Sequence, residues 1–290
     1  MTFPLDRSAE LRISNPNFQK KVRAFFARKL KNDGADRTAR ILKFKNKITT
    51  AAIFARENGV FSGRAELEFI FREKNLTAKF FKIDGEDFSA DEKLVEISAP
   101  ITKILKWERV ILNFLARMSA ISTATKNARK LLPAGIFLAA TRKTLWGIFD
   151  KKAVANGGGI SHRLNLADAI LIKENHLIFE SIPEICRKIN SQNCGAFWEI
   201  EVENEKQFFE VWENLPAARG GILFDNFAPA AISAILKKVQ KKPQIFFEAS
   251  GGVNLQNLKE FGKCGVDVVS AGFLTKNSAA IDLTLRIKTK

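Results

Sequence analysis

Charged residues recur at one kind of place in this chain, just past short apolar runs. Ile136–Ala140 leads into Thr141-Arg142-Lys143-Thr144, and Ala169–Ile172 into Lys173-Glu174-Asn175-His176. Phe197–Val202 carries Glu199 and Glu201, with Glu203 next in the same alternation, and Gly221–Phe224 ends at Asp225-Asn226. Gln244–Phe247 gives way to Glu248-Ala249-Ser250-Gly251-Gly252, and Val266–Ser270 to Ala271-Gly272. Brought together, Arg142, Lys143 and Lys173 would supply cations for a ligand with several carboxylates or phosphates. Glu201 and Asp225 would supply a carboxylate pair suited to magnesium, a hard ion that takes oxygen ligands and bridges phosphate oxygens. The small residues of Ser250–Gly252 and Ala271–Gly272 let backbone N–H groups approach an anion closely.

The order of elements says how such residues could meet. After Gly135 the apolar runs read as strands, separated by helical stretches at Leu177–Asn190, Lys206–Glu213, Pro229–Val239 and Leu255–Gly262. Strand–helix alternation predicts a parallel sheet, open or closed into a barrel. In a parallel barrel all strands end on one face, where the loops carry the chemistry and the last two often hold a phosphate. The first third is mixed. Phe18, Val22, Phe25, Phe26 and Leu30 predict a helix over Phe18–Lys31, and Lys47–Ala55, Thr77–Ile83 and Leu94–Ile101 read as strands. A long helix is predicted from Thr102 to Leu131, closed by Pro133 and Gly135.

Each feature alone has a plainer origin. Lysine and arginine are mostly solvated surface residues, and a face bearing Glu199, Glu201 and Glu203 could simply be wet. Gly157-Gly158-Gly159 reads equally as a flexible turn, and a lone histidine such as His162 is more often packed than catalytic. Joint placement carries the signal. The 290 residues, 46% hydrophobic and 27% charged, are those of an ordinary globular protein. No apolar run approaches the roughly 18 residues of a membrane span, and Met1–Glu10 has no secretory signal pattern. Cys186, Cys194 and Cys264 form no CxxC pair and read as reduced thiols of a cytoplasmic protein. The net charge of +16 raises the alternative of a nucleic-acid-binding protein. The 47 Lys and Arg are spread along the chain, though, and no recognition motif accompanies them.

The ordered blocks resemble the quinolinate phosphoribosyltransferase family. They are Thr141-Arg142-Lys143-Thr144, Lys152-Ala153-Val154, Gly157-Gly158-Gly159, His162-Arg163-Leu164, Leu171 to His176, Glu199 to Asn204, Phe224-Asp225-Asn226 and Glu248 to Val253. Upstream, Glu108-Arg109-Val110-Ile111-Leu112-Asn113-Phe114-Leu115 is similar to the family's helix motif. The resemblance implies an N-terminal α/β sandwich domain over residues 1–118 and an incomplete parallel α/β barrel over 119–276. A tail, 277–290, would pack back toward the first domain. It implies phosphoribosyl transfer from 5-phosphoribosyl 1-diphosphate to quinolinate with decarboxylation, dependent on Mg2+, giving nicotinate mononucleotide on the route to NAD. Arg142, His162, Arg163 and Lys173 would line the quinolinate pocket. Arg109 would reach the neighbouring active site of a head-to-tail homodimer. Lys143 would meet the diphosphate, Glu201 and Asp225 the ribose and magnesium, and Ser250, Gly251 and Gly272 the 5-phosphate. Catalysis would fall to Lys143, Lys173, Glu201 and Asp225.

The chain departs from the family at Leu145-Trp146, where a Thr-Pro turn is usual, and at Lys276, where the family has histidine. The alternative within the resemblance is a molybdenum-transport-associated group that tends to lose the lysine, asparagine and histidine kept here as Lys173, Asn175 and His176. A nicotinate-using enzyme would need only one carboxylate grip, whereas Arg109, Arg142 and Arg163 together favour a dicarboxylate.

Overall fold

The spacing of Phe18, Val22, Phe25 and Phe26 buries one face of helix α1 (Pro16–Asp33). Asn15 caps it by accepting the Asn17 N–H, and Pro16 sits where a helical N–H needs no partner. The computed structural model describes residues 3–43, 47–192 and 196–288, so Cys194 lies outside the described residues. Next come α2 (Arg37–Leu42), β1 (Ile48–Ala55), β2 (Gly59–Val60) and α3 (Arg64–Glu73). They are followed by β3 (Thr77–Phe80), β4 (Asp87–Phe88), β5 (Lys93–Pro100) and α4 (Ile101–Arg129). The strand predicted over Thr77–Ile83 stops at Phe80. Beyond it the chain turns so that Asp84 Oδ1 accepts the N–H groups of Gly63 and Arg64, at 2.7 and 3.0 Å, and so caps α3.

The chain divides into two units, and these elements through Lys126 belong to one, completed by Ala155–Gly158 and residues 277–288. The other holds residues 3–7, Asn127–Val154 and Gly159–Lys276. Its elements begin with β6 (Phe137–Ala139), α5 (Ile148–Asn156), β7 (Ile170–Ile172), α6 (Glu174–Leu177) and α7 (Ile182–Gln192). They continue with β8 (Trp198–Val202), α8 (Glu205–Glu213), β9 (Gly220–Asp225) and α9 (Pro229–Leu236). The last are β10 (Ile245–Ser250), α10 (Leu258–Phe261), β11 (Val268–Ser270) and α11 (Phe273–Lys276). The helix predicted from Leu177 begins five residues later, because Pro183 fixes the first turn of α7. In the first unit, β12 (Leu283–Ile287) pairs antiparallel with β1, setting Ile287 opposite Ala51, and gives the order β12-β1-β5-β3. Among the described residues no helix is long and apolar enough to cross a membrane.

The six strands of the second unit are all parallel, in the order β6-β11-β10-β9-β8-β7. The first strand of the series pairs with the last, as happens when a singly wound sheet rolls up. The seam between β6 and β7 carries no strand pairing among the described residues, and beyond β6 lies only a parallel bridge from Ala139 to Ile160. The result is an incomplete α/β barrel. Because side chains alternate along a strand, register fixes which residues share its interior. Leu171, Glu199 and Gly221 are neighbours there, as are Glu201, Leu223 and Glu248. The alternate residues face the helices, where Phe208 of α8 stacks on Phe224 at 5.3 Å. At the N-terminal end of the strands, Phe3 and Leu5 join Phe197, Phe246 and Val268 in one buried cluster. The Phe3 ring lies 5.2 to 5.9 Å from those of Phe246, Phe137 and Phe197.

Candidate active site

The opposite ends of these strands surround a cavity of about 190 Å³. Arg142, Lys143, Arg163 and Lys173 line it as cations, and Glu201, Asp225 and Glu248 as acids, with Ser250 and Ser270 between. Local bonds set each one. After β6, Thr141 Oγ1 accepts the Lys143 N–H at 3.2 Å, and Thr275 Oγ1 donates to the Lys143 carbonyl at 2.7 Å. Asp150 accepts the N–H groups of Leu145 and Trp146, at 2.8 and 3.1 Å, and folds the rest of that loop. After β7, the His176 ring accepts the Lys173 N–H at 3.0 Å, while the Lys173 ammonium pairs with Glu201. At the end of β9, Asn226 donates to the Asp225 carboxylate at 2.9 Å. The neighbouring turn needs glycine at residue 251, where φ is +80° and a Cβ would come within 2.3 Å of Asn226 Oδ1.

Beneath the cavity lies a dry layer of ionisable groups. His162 Nε2 is 3.1 Å from Glu248 and 3.5 Å from Glu199. Burial opposes a charge on this ring, but the two carboxylates outweigh it and push its pKa up to about 9. The backbone opposes that charge: the Arg163 N–H lies 2.9 Å from Nδ1, a hydrogen bond that only the neutral ring can accept, and in that form the single ring proton is on Nε2, directed at Glu248. Burial, then the adjacent Glu248 charge, push Glu199 up to about 7. Burial would raise Glu248 as well, yet the His162 ring beside it holds it below the usual carboxylate range. The three donor atoms lie within 4.8 Å of one another, a set that could ligate a metal by type. Here the ring Nε2 already bonds Glu248, while Glu199 Oε2 has no hydrogen-bond partner among the described residues.

The cavity favours anions. Among the described residues no carboxylate forms an ion pair with the Arg142 or Arg163 guanidinium. Burial, then the Arg142 charge beside it, hold the Arg163 pKa below its ordinary value. Two guanidinium groups facing one small cleft without a counter-ion suit a ligand bearing more than one carboxylate. Burial pushes Glu201 upward, with Lys173 working against it and Asp225 adding to it, so Glu201 and Asp225 feel each other across the cavity. That acid pair offers the oxygen donors a magnesium ion takes.

Residues 120–286 match the family described as quinolinate phosphoribosyl transferase, C-terminal domain, and residues 36–119 match its N-terminal domain. The chain belongs to the quinolinate phosphoribosyltransferase family. A Bacillus subtilis relative named as a probable nicotinate-nucleotide pyrophosphorylase (carboxylating) is 35% identical over 82% of this chain and 83% of its own. The human nicotinate-nucleotide pyrophosphorylase (carboxylating) is 32% identical over 83% of this chain and 82% of its own. The structure of the nicotinate-nucleotide pyrophosphorylase from Francisella tularensis superposes with a TM-score of 0.83 at 29% identity, covering 93% of this chain and 97% of that one. The N-terminal sandwich and C-terminal α/β barrel of the family are the fold described above.

Eight residues singled out in the sequence come together in this family member: Arg142, Lys143, His162, Arg163, Lys173, Glu201, Asp225 and Ser250 all line the cavity. Gly251 and Gly272 shape adjoining turns without lining it, Gly272 with Thr141 and Lys143 as its near neighbours. Arg109 is exposed on α4, in the other unit. The face bearing Glu199 and Glu201 is the barrel interior and is dry, whereas Glu203 falls past the end of β8 and is exposed. Sequence reasoning missed Glu248 as a partner of His162. Its signal was a single acid inside the otherwise apolar β10, Ile245-Phe246-Phe247-Glu248-Ala249. A carboxylate at such a position is seldom buried without a partner.

Proposed function

We propose that this protein transfers the phosphoribosyl group of 5-phosphoribosyl 1-diphosphate to quinolinate with decarboxylation, releasing nicotinate mononucleotide, diphosphate and carbon dioxide. It is in this reading a pentosyltransferase of NAD biosynthesis, working in the cytoplasm. The observation that carries it is the gathering of two guanidiniums that form no ion pair among the described residues, Arg142 and Arg163, with Lys173, Glu201 and Asp225 in one cavity. The arginines grip the two carboxylates, and His162 closes the floor of the quinolinate site. Lys143 meets the diphosphate, and Ser250, with the backbone at Gly251 and Gly272, meets the 5-phosphate. As the sugar carbon gains positive charge, Glu201 and Asp225 stabilise it. The pyridine nitrogen attacks as diphosphate leaves; the cationic ring that results stabilises the electron pair left on its carbon 2 when the 2-carboxylate departs as carbon dioxide, and that carbon then takes a proton from solvent. Lys173, held by Glu201, sits beside that carboxylate or the ribose.

The donor set fits magnesium. Glu201 is engaged by Lys173, so Asp225 and substrate phosphate oxygens would dominate the coordination, as is usual for this ion. Magnesium would supply charge neutralisation at the leaving diphosphate. A head-to-tail homodimer is part of the reading. Arg109 is exposed, and the barrel unit exposes Leu145, Leu166, Ile178 and Phe179, a set of large apolar side chains that a partner would cover.

Purified protein given quinolinate, phosphoribosyl diphosphate and magnesium should release carbon dioxide and diphosphate in equal amounts; turnover of nicotinate alone contradicts the assignment. Arg109→Ala and Lys173→Ala subunits, each inactive, should recover about a quarter of wild-type activity when mixed and exchanged, since half the dimers then carry one intact site. No recovery despite demonstrated exchange places Arg109 outside the neighbouring site.

A further inference from the structure

One buried cation is absent from this scheme. Lys151, on α5, is 2% exposed and does not line the cavity. Its ammonium donates to the carbonyls of Ser161 at 2.7 Å and Arg163 at 2.9 Å. These carbonyls flank His162, whose φ of +53° is a left-handed conformation uncommon outside glycine. The two facts belong together. Carbonyls two residues apart on an extended strand are separated by about 6.6 Å, further than bonds of 2.7 and 2.9 Å to one nitrogen can span. Residue 162 must kink for both to reach the same ammonium. The same kink brings the Arg163 N–H onto His162 Nδ1, aims Nε2 at Glu248 and leaves the Arg163 side chain lining the cavity.

We propose that Lys151 is a positioning residue for the quinolinate grip, clamping the carbonyls on either side of His162 so that His162 and Arg163 hold their places in the cavity. The proposal rests on the functional reading above and deepens it. Burial, then the charges of Arg142 and Arg163, lower the Lys151 pKa to about 7, and it can donate to both carbonyls with or without its third proton. An aliphatic chain of similar length would fill the space without donating. The left-handed turn would then relax and take Arg163 with it.

The test is Lys151→Met and Lys151→Gln in the full-length protein, read by kinetics and by the imidazole proton resonances. The chain has two histidines, His162 and His176, so these signals are few and separable. Lys151→Met should raise KM for quinolinate about tenfold or more, as misplaced binding groups do, and leave KM for phosphoribosyl diphosphate within about twofold. It should displace the His162 resonance and leave that of His176 in place. Lys151→Gln, with a shorter donor able to reach one carbonyl, should fall between Met and wild type. A folded Lys151→Met with unchanged quinolinate KM, or one raising both KM values together while His162 stays put, overturns the proposal. Should Lys151→Met not fold, Lys151→Gln is read in the same way. The wild type then adds a further criterion, read at about pH 6, where Lys151 is charged: a slowly exchanging lysine ammonium signal supports the clamp, and its absence overturns it. The resonance measurement needs no substrate, so failure of the wild type to consume quinolinate strikes the functional reading and leaves this test standing.

Discussion

The two ends of the barrel interior are built on the same strands and differ in nearly everything else. Phe197 and Phe246 lie in a buried aromatic floor closed by Phe3. Two residues further along the same inward faces come Glu199 and Glu248, and two beyond those Glu201 and Ser250, at the cavity. Period-2 alternation thus stacks a hydrophobic layer, a buried ionic layer and a binding layer on single strands. The floor gains its free energy from burial and edge-to-face ring contacts. The binding layer sets Arg142 beside Arg163 and Glu201 beside Asp225, like-charge pairs that oppose folding, with the Lys173–Glu201 ion pair only partly offsetting them, and it suits an anionic ligand. Stability and chemistry are separated here by one layer of side chains.

That separation can be broken by substitution. Asp225→Asn should lower kcat about 10²- to 10⁴-fold, the range for loss of an electrostatic group at a reacting centre, and leave Tm unchanged or slightly higher because repulsion with Glu201 is relieved. A large loss of Tm instead would show that the binding layer also holds the fold. Phe246→Ala, in the floor, should cost about 3–5 kcal/mol of stability in chemical denaturation while the folded fraction keeps its KM values. A shifted quinolinate KM would show the layers to be coupled.

The middle layer gives a smaller and pH-dependent effect. Glu199 binds its proton more tightly in the folded chain, with a pKa of about 7, than in the unfolded one. Between the ordinary carboxylate pKa and about 7 the folded state therefore holds the extra proton, and stability falls as pH rises through that window. Glu199→Gln removes this titration. The difference in Tm, variant minus wild type, should be more positive at pH 8 than at pH 5, and an equal difference at both would mean Glu199 stays ionised throughout.

Much of this arrangement was legible in the residues. Alternation placed the barrel strands to within a few positions, and Arg142, Lys143, Lys173, Glu201, Asp225 and Ser250 followed from one rule about parallel sheets, whereas His162 and Arg163 came only with the family resemblance. Three things were not legible, each for a physical reason. The aromatic floor depends on Phe3, whose partners Phe197 and Phe246 lie roughly two hundred residues away, and no local pattern reports such a contact. Glu248 reads as the start of a glycine-rich turn, because its burial comes from register with Leu223 and Val268. Asp150-Lys151-Lys152 is a charged run of a kind that is mostly solvated, yet Asp150 and Lys151 point inward and hold the two loops that carry Arg142 and Arg163. Short polar runs of this kind give no sign of burial until the loops around them are known.

If the binding layer is one site for a pyridine dicarboxylate, a crystal structure with quinolinate bound will show it seated there. Both carboxylates should lie within hydrogen-bond distance of cations drawn from Arg142, Arg163 and Lys173, above the His162–Glu248 pair. Quinolinate bound elsewhere, or seated there with Arg142 and Arg163 both turned away, would contradict it.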